Sequence, residues 1–198
     1  MSSTRGKSSP IRHKRDLYRT PQWCIDLLTE KMPPIPVARV IDLGAGDGRI
    51  GRTIAGGLES CPIDMYDVHE PDCPRPGEHW YIGDALVCAR ENRVNAEAKI
   101  VVSNPPFLLA TEFVQLGVEI IQASHRPSVA VFLLRVNWLG SKKRAAWINA
   151  HPPARITVLA PRPSFTGGGT DSCEYAWIWW TKSHASLAGP PIEVGVRP

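Results

Sequence analysis

No run of apolar residues in this chain approaches the roughly twenty needed to cross a bilayer, so no membrane span is expected. No long apolar stretch follows the basic residues at the start, so the chain does not read as carrying a secretory signal. Cysteines are few and scattered. Cys24, Cys61, Cys73, Cys88 and Cys173 are odd in number and include no CxxC pair, which argues against a zinc site or a disulfide framework. No metal is expected, and a reducing, cytoplasmic setting is. No Walker lysine follows the one glycine-rich loop that enters a helix, which excludes a P-loop. There is no internal repeat. What remains is ordinary for one globular domain: 198 residues, 43% hydrophobic and 21% charged.

The charge that is present is unevenly spread. Residues 1–19 carry Arg5, Lys7, Arg12, Lys14, Arg15 and Arg19 against Asp16, a net of +5. Residues 20–134 net −6. Residues 135–162 carry Arg135, Lys142, Lys143, Arg144, Arg155 and Arg162 with no acid, a net of +6. Two basic blocks on an acidic body suit a polyanion held on one side, although solvated surface would read the same way.

Composition divides the chain into a basic, disordered tail at 1–15, a folded domain at 16–181 and a loose, Pro- and Gly-containing tail at 182–198. Within the domain, strands and helices alternate. A helix starting at Pro21, with Thr20 as its cap, stops at Pro33-Pro34. Apolar runs at 38–43, 61–68, 79–84, 98–103, 128–136, 154–160 and 174–181 read as strands. Helical patterns fill 48–58, 85–92, 111–124 and 141–150. The alternation predicts an α/β fold: a seven-stranded, mostly parallel sheet with helices on both faces. The last two strands have no room for a helix between them and should pair antiparallel. The working face of such a sheet lies at the carboxyl ends of its strands.

The first strand ends in Asp42-Leu43-Gly44-Ala45-Gly46-Asp47-Gly48 and enters a helix. Glycines there let the backbone turn tightly and approach a ligand. The spacing is GxGxG, not the GxGxxG of dinucleotide sites. Asp42 and Asp47 would repel a pyrophosphate, and a ligand with a sulfonium and an amine suits them better. Asp67 ends the second strand, where α/β nucleotide sites place a carboxylate for the ribose hydroxyls. Asp64 or Glu70 could serve instead. Asp84, after the third strand, is placed either to accept from an adenine amino group or to cap the next helix.

Asn104-Pro105-Pro106-Phe107 follows the fourth strand directly. The prolines hold the backbone extended and donate no N–H, leaving the segment's carbonyls free as acceptors. An aromatic amine needs such a place, because its lone pair is delocalised into the ring. The Asn104 side-chain oxygen and the Pro105 carbonyl can hold both amino hydrogens while Phe107 stacks on the base. Rate would then come from positioning and charge placement.

The DLGAGDG loop followed by NPPF resembles the class I S-adenosylmethionine-dependent methyltransferases, and within them the amino-group methyltransferases of nucleic acids. The resemblance covers residues from about 18 to 181. It implies a Rossmann-like methyltransferase fold and S-adenosyl-L-methionine as cofactor, held by Thr20, Pro21, Asp42, Gly44, Ala45, Gly46, Asp67, Asp84 and Asn104. It implies Asn104, Pro105, Pro106 and Phe107 as the catalytic set. Arg135 and Asn137, after the fifth strand, and Phe165, after the sixth, fit the target side together with Phe107. Lys142, Lys143 and Arg144 open a helix, where cations oppose the helix dipole and a phosphate would relieve the cost. A loop from Gly167 to Asp171 is placed to move over the target. Trp177, Trp179 and Trp180 read as core, as do Trp23 and Trp147.

The expected partner is nucleic acid, DNA favoured over RNA, with adenine N6 as acceptor. Similar tetrapeptides occur in enzymes acting on guanine N2 in RNA and on glutamine in proteins. A catalytically silent nucleic-acid-binding relative is the alternative outside enzymes. The chain has no room for a recognition domain, so specificity is expected from loops, the tail, a specificity subunit or a second copy.

Overall fold

The computed structural model describes residues 18–58, 61–91, 99–165, 169–182, 187 and 189–197. The basic tail at 1–15 lies outside them, as do residues 166–168 of the glycine-rich loop. In chain order the elements are α1 (Gln22–Glu30), β1 (Arg39–Leu43), α2 (Arg49–Gly56), β2 (Ile63–Asp67), β3 (Glu78–Ile82) and α3 (Ala85–Glu91). They continue with β4 (Lys99–Ser103), α4 (Ala110–Gln122), β5 (Ser128–Arg135), α5 (Lys142–Ala150), β6 (Arg155–Ala160), β7 (Tyr175–Lys182) and β8 (Ile192–Val196). Short 3-10 turns cover Phe107–Leu109 and Val136–Trp138. No helix among the described residues is long and apolar enough to cross a membrane.

One sheet holds all eight strands in the order β3-β2-β1-β4-β5-β7-β6-β8. β1 pairs in parallel with β2 and β4, and β4 with β5, as buried strands joined through helices do. β7 runs antiparallel to both β5 and β6, so it alone opposes the other strands. The chain order reverses between β1 and β4, which opens a crevice at the carboxyl end of β1.

Alternation along the strands divides the core into two layers. Val40, Ile100, Val129, Val131, Leu133, Tyr175, Trp177 and Trp179 face α1 and α2. Ile41, Val101, Ala130, Phe132, Ile178 and Trp180 face α3 and α4. Trp177 and Trp179 are buried completely, and Trp177 Nε1 donates to the Cys24 carbonyl. Trp23 and Trp147 are only partly buried at the margins of the core.

Three expectations need correction. The sheet has eight strands, because residues 192–196 of the presumed loose tail add β8 in parallel to β6. Ile192, Val194 and Val196 point outward and are exposed, while Gly195 is turned inward against Leu27, where an added Cβ would force the Leu27 side chain to shift. Thr20 does not cap α1; Pro21 holds that position without a side-chain bond, and the Thr20 hydroxyl is used elsewhere. Arg155 leaves the basic face altogether. It is 2% exposed, donates to the Lys31 carbonyl and lies over the Trp179 ring.

Candidate active site

The turn after β1 is shaped by three left-handed glycines, Gly44 at φ 69°, Gly46 at φ 58° and Gly48 at φ 75°. That conformation costs any residue with a Cβ, so the glycine spacing is a backbone requirement. At Gly48 the space is also tight, since a Cβ would lie 3.0 Å from Met65 Sδ. The turn is pinned from β2: the Gly44 and Ala45 N–H groups donate to the Tyr66 carbonyl, at 2.7 and 3.0 Å.

Asp67 completes the pinning. One carboxylate oxygen accepts the Gly46 N–H at 2.8 Å and the other accepts the His69 N–H at 2.9 Å. A carboxylate offers about four lone-pair sites, so two remain after these bonds. Asp64 is not an alternative to it. Asp64 is fully buried and ion-paired with Arg39 at 2.7 Å. Glu70 is exposed and lines a cavity of about 730 Å³ beside Gly46 and Asp47. Asp84 does cap α3, its Oδ1 accepting from the Leu86 N–H at 2.8 Å; being exposed, it keeps its second oxygen for other donors.

Asp42 does not face the crevice. It is completely buried under the turn, where Oδ2 accepts the Gly51 N–H from α2 at 2.9 Å and Oδ1 has no partner. Burial pushes its carboxyl up to about 7. It therefore supports the turn from beneath, away from the crevice. Asp47 is neutralised by Arg49 at 2.8 Å and Arg19 at 3.5 Å. The repulsion expected from these two aspartates is thus largely cancelled.

Asn104 leaves β4 beside this turn, and the Ser103 hydroxyl donates to the Leu43 carbonyl, tying the ends of β4 and β1 together. The Asn104 amide nitrogen donates to the Thr20 hydroxyl at 3.0 Å and to the Tyr18 carbonyl at 3.2 Å. Both amide hydrogens are thereby used, so the Oδ1 end is the one left to accept. No donor among the described residues bonds the Pro105 carbonyl. The Pro106 carbonyl, expected to be free, instead accepts the Leu109 N–H of the following 3-10 turn.

Four aromatic rings gather past the tetrapeptide. Phe107 lies 5.8 Å from Tyr18 and 6.0 Å from Tyr175, and Phe165 lies 4.8 Å from Tyr175. The Arg135 guanidinium sits 4.2 Å from the Phe107 ring centre, a cation–π contact. Its Nε donates to the Tyr175 hydroxyl, which in turn donates to Asp171. Burial raises the Tyr175 phenol to about 12, and the hydrogen bond from Tyr175 helps hold the Asp171 carboxyl below its usual range. The structure thus links Asn104, Phe107, Arg135 and Phe165 through Tyr18 and Tyr175.

The proposed phosphate cluster is only partly free. Asn137, Lys142 and Lys143 are exposed. Arg144 is committed to the protein, donating from Nε to the Trp138 carbonyl at 2.9 Å with its guanidinium over the Trp138 ring. Sequence reasoning missed two members of the site. Tyr175 was legible from alternation, since it shares a face with Trp177 and Trp179. Tyr18 had no motif to mark it.

No protein-family model matches the chain, and no curated protein does. Solved structures do match. A predicted O-methyltransferase of Agrobacterium tumefaciens is 19% identical, with 87% of this chain and 84% of that one covered at a TM-score of 0.57. The 23S rRNA methyltransferase ErmE is 13% identical over 87% of this chain and 72% of its own, with a TM-score of 0.57. The type I restriction enzyme EcoKI M protein is 17% identical at a TM-score of 0.55 over 90% of this chain, which spans 48% of it. At such identities the likeness is one of architecture, and the chain has the Rossmann-like fold of the class I methyltransferases.

Proposed function

We propose that this chain transfers a methyl group from S-adenosyl-L-methionine to an exocyclic amino group of a nucleic-acid base, with adenine N6 in DNA favoured. The observation that carries the reading is the state of Asn104. Its amide nitrogen is tied down, which leaves Oδ1 as the end free to accept, beside the cluster of Tyr18, Phe107, Phe165 and Tyr175. A glutamine side chain, the acceptor of the protein-directed alternative, has no use for four aromatic rings. A flat base does.

The cofactor's place is supported by the left-handed glycine turn, which exposes backbone without Cβ atoms. Gly44, Ala45 and Gly46 would lie along it, Asp67 would take the ribose hydroxyls with its spare lone pairs, and Asp84 would accept from the adenine amino group. Thr20 and Pro21 would border the methionine end. The cofactor supplies a methyl group on a sulfonium sulfur. Asn104 Oδ1 and the Pro105 carbonyl accept the two amino hydrogens and favour a more pyramidal nitrogen, while Phe107 and Phe165 fix the base plane. Lys142 and Lys143 carry the phosphate backbone, and Arg135, already on Phe107, braces the ring. Specificity beyond the target base comes from loops, a second copy or a specificity subunit.

Purified chain incubated with methyl-labelled cofactor and separate pools of DNA, RNA and protein tests this directly. Label recovered as N6-methyladenine from DNA is the expected result. Label in RNA, as methylated adenine or guanine, moves the substrate class and keeps the chemistry. Label in protein alone, or none in any pool despite cofactor binding, overturns the reading.

A further inference from the structure

Tyr18 stands outside every motif that marks the site, two residues ahead of Thr20-Pro21, yet it touches both of its halves. Its ring lies 5.8 Å from Phe107, tilted by 31°, and 6.5 Å from Phe165, edge-on. Its carbonyl accepts from Asn104 Nδ2 at 3.2 Å. The next residue, Arg19, reaches Asp47 of the glycine turn at 3.5 Å. Thr20 follows, with its hydroxyl accepting from Asn104 at 3.0 Å and its carbonyl accepting from Arg49 at 3.3 Å. These three residues form a strap between the glycine turn and the aromatic pocket.

Tyr18 as a residue is 44% exposed. It is the outermost of the four, since Phe107 and Phe165 are half-buried and Tyr175 is buried completely. A planar base between two rings needs about 7 Å, two contact distances of about 3.5 Å. The 5.8 Å between Tyr18 and Phe107 is about 1 Å short of that. A base stacked on this side of Phe107 therefore moves Tyr18 outward, and the same strap carries the two oxygens that hold the Asn104 amide.

We propose that Tyr18 contacts the acceptor: its ring is the outer wall that holds the target base against Phe107, and the strap Tyr18–Thr20 sets Asn104 Oδ1 as that wall is filled. This rests on the reading of the pocket as a base site. A tyrosine that merely packs would shield Phe107 equally well as leucine.

A single-stranded oligodeoxynucleotide carrying one 2-aminopurine, titrated with the full chain and S-adenosylhomocysteine, reads stacking as loss of fluorescence. The native chain should quench at saturation. Tyr18→Ala should lose part of the quench and bind about five- to 150-fold more weakly, the span of one base–aromatic stack. Tyr18→Leu, which keeps apolar bulk without a flat face, should behave like Tyr18→Ala, and Tyr18→Phe should restore both signals. Calorimetric titration of S-adenosylhomocysteine into each variant reports that the chain is folded; if Tyr18→Ala fails it, Tyr18→Leu decides. Native quenching matched by Tyr18→Ala or Tyr18→Leu overturns the wall and leaves the base pocket standing. A native chain that binds the oligonucleotide to saturation without quenching overturns the base pocket, and this proposal with it.

Discussion

Asn104 has two ends, and the nitrogen end is already engaged by Tyr18 and Thr20. Asn104→Ala therefore removes an acceptor from the pocket and loosens the strap at once. Turnover should fall about a hundredfold or more, the scale of removing one preorganised polar group from a transition state. Affinity for S-adenosylhomocysteine, measured by calorimetry, should change little; a turnover number kept at the native value, with only cofactor affinity reduced, would refute the assigned role. Asp67 makes the opposite prediction. It holds the Gly46 N–H, so Asp67→Ala disturbs the turn as well as removing the expected ribose acceptor. Cofactor affinity should drop by about tenfold or more, since each 1.4 kcal/mol is a factor of ten; unchanged affinity would remove the assignment. Asp42 sets a pH dependence. Its carboxyl is pushed up from 3.8 to about 7 by burial, so folding favours its protonated form. Its contribution to stability is full below its unfolded value of 3.8 and is lost as pH rises through about 7. Glu78 acts in the opposite sense, lowered to about 2 chiefly by its hydrogen bonds from Arg52, so its contribution is lost as pH falls from 4.5 toward 2. Thermal melts between pH 4 and 8 should show Asp42→Asn flattening the decline above pH 4; an unaltered profile would show that Asp42 does not titrate in that window.

Most elements were legible because their patterns are strong over their whole length. α4 buries Phe113, Val114, Leu116, Gly117, Val118, Ile120 and Ile121 along one helix, and β5 is buried almost throughout. The motifs placed Gly44, Asp67, Asn104 and Phe107 for the same reason: backbone needs at strand ends are local. What failed was decided by packing against particular neighbours. Arg144 reads as a free cation until Trp138 is seen beneath it, and Arg155 until Lys31 and Trp179 enclose it. β8 hid in a Pro- and Gly-containing tail, although Ile192, Val194 and Val196 carry the period of two that marks a strand. Gly195, which lowered its strand propensity, is required there by Leu27. Gly195→Ala should accordingly destabilise the fold by about 1–3 kcal/mol through overpacking. A melting temperature equal to that of the native chain would mean that β8 is not docked on α1.

Across the molecule, two exposed lysines lie just beyond β5, the strand that carries Arg135 of the site. Lys142 and Lys143 are exposed at the start of α5, whereas Arg144 is braced. Replacing both lysines by Ala should weaken nucleic-acid binding and make its salt dependence shallower, by roughly 0.7–0.9 in log–log slope for each phosphate no longer neutralised. Cofactor affinity should stay as it was; a slope identical to the native one would take the phosphate path away from α5. The strand order has a consequence for how the chain is made. β6 and β8 join the sheet only through β7, which lies between β5 and β6 yet is synthesised after both. Until Lys182 has left the ribosome, β5 presents a bare edge of eight residues, SVAVFLLR, with no strand yet available to cover it. A chain stalled or truncated short of β7 therefore exposes an apolar edge to any neighbouring chain, and should be recovered as aggregate where the full chain is recovered folded.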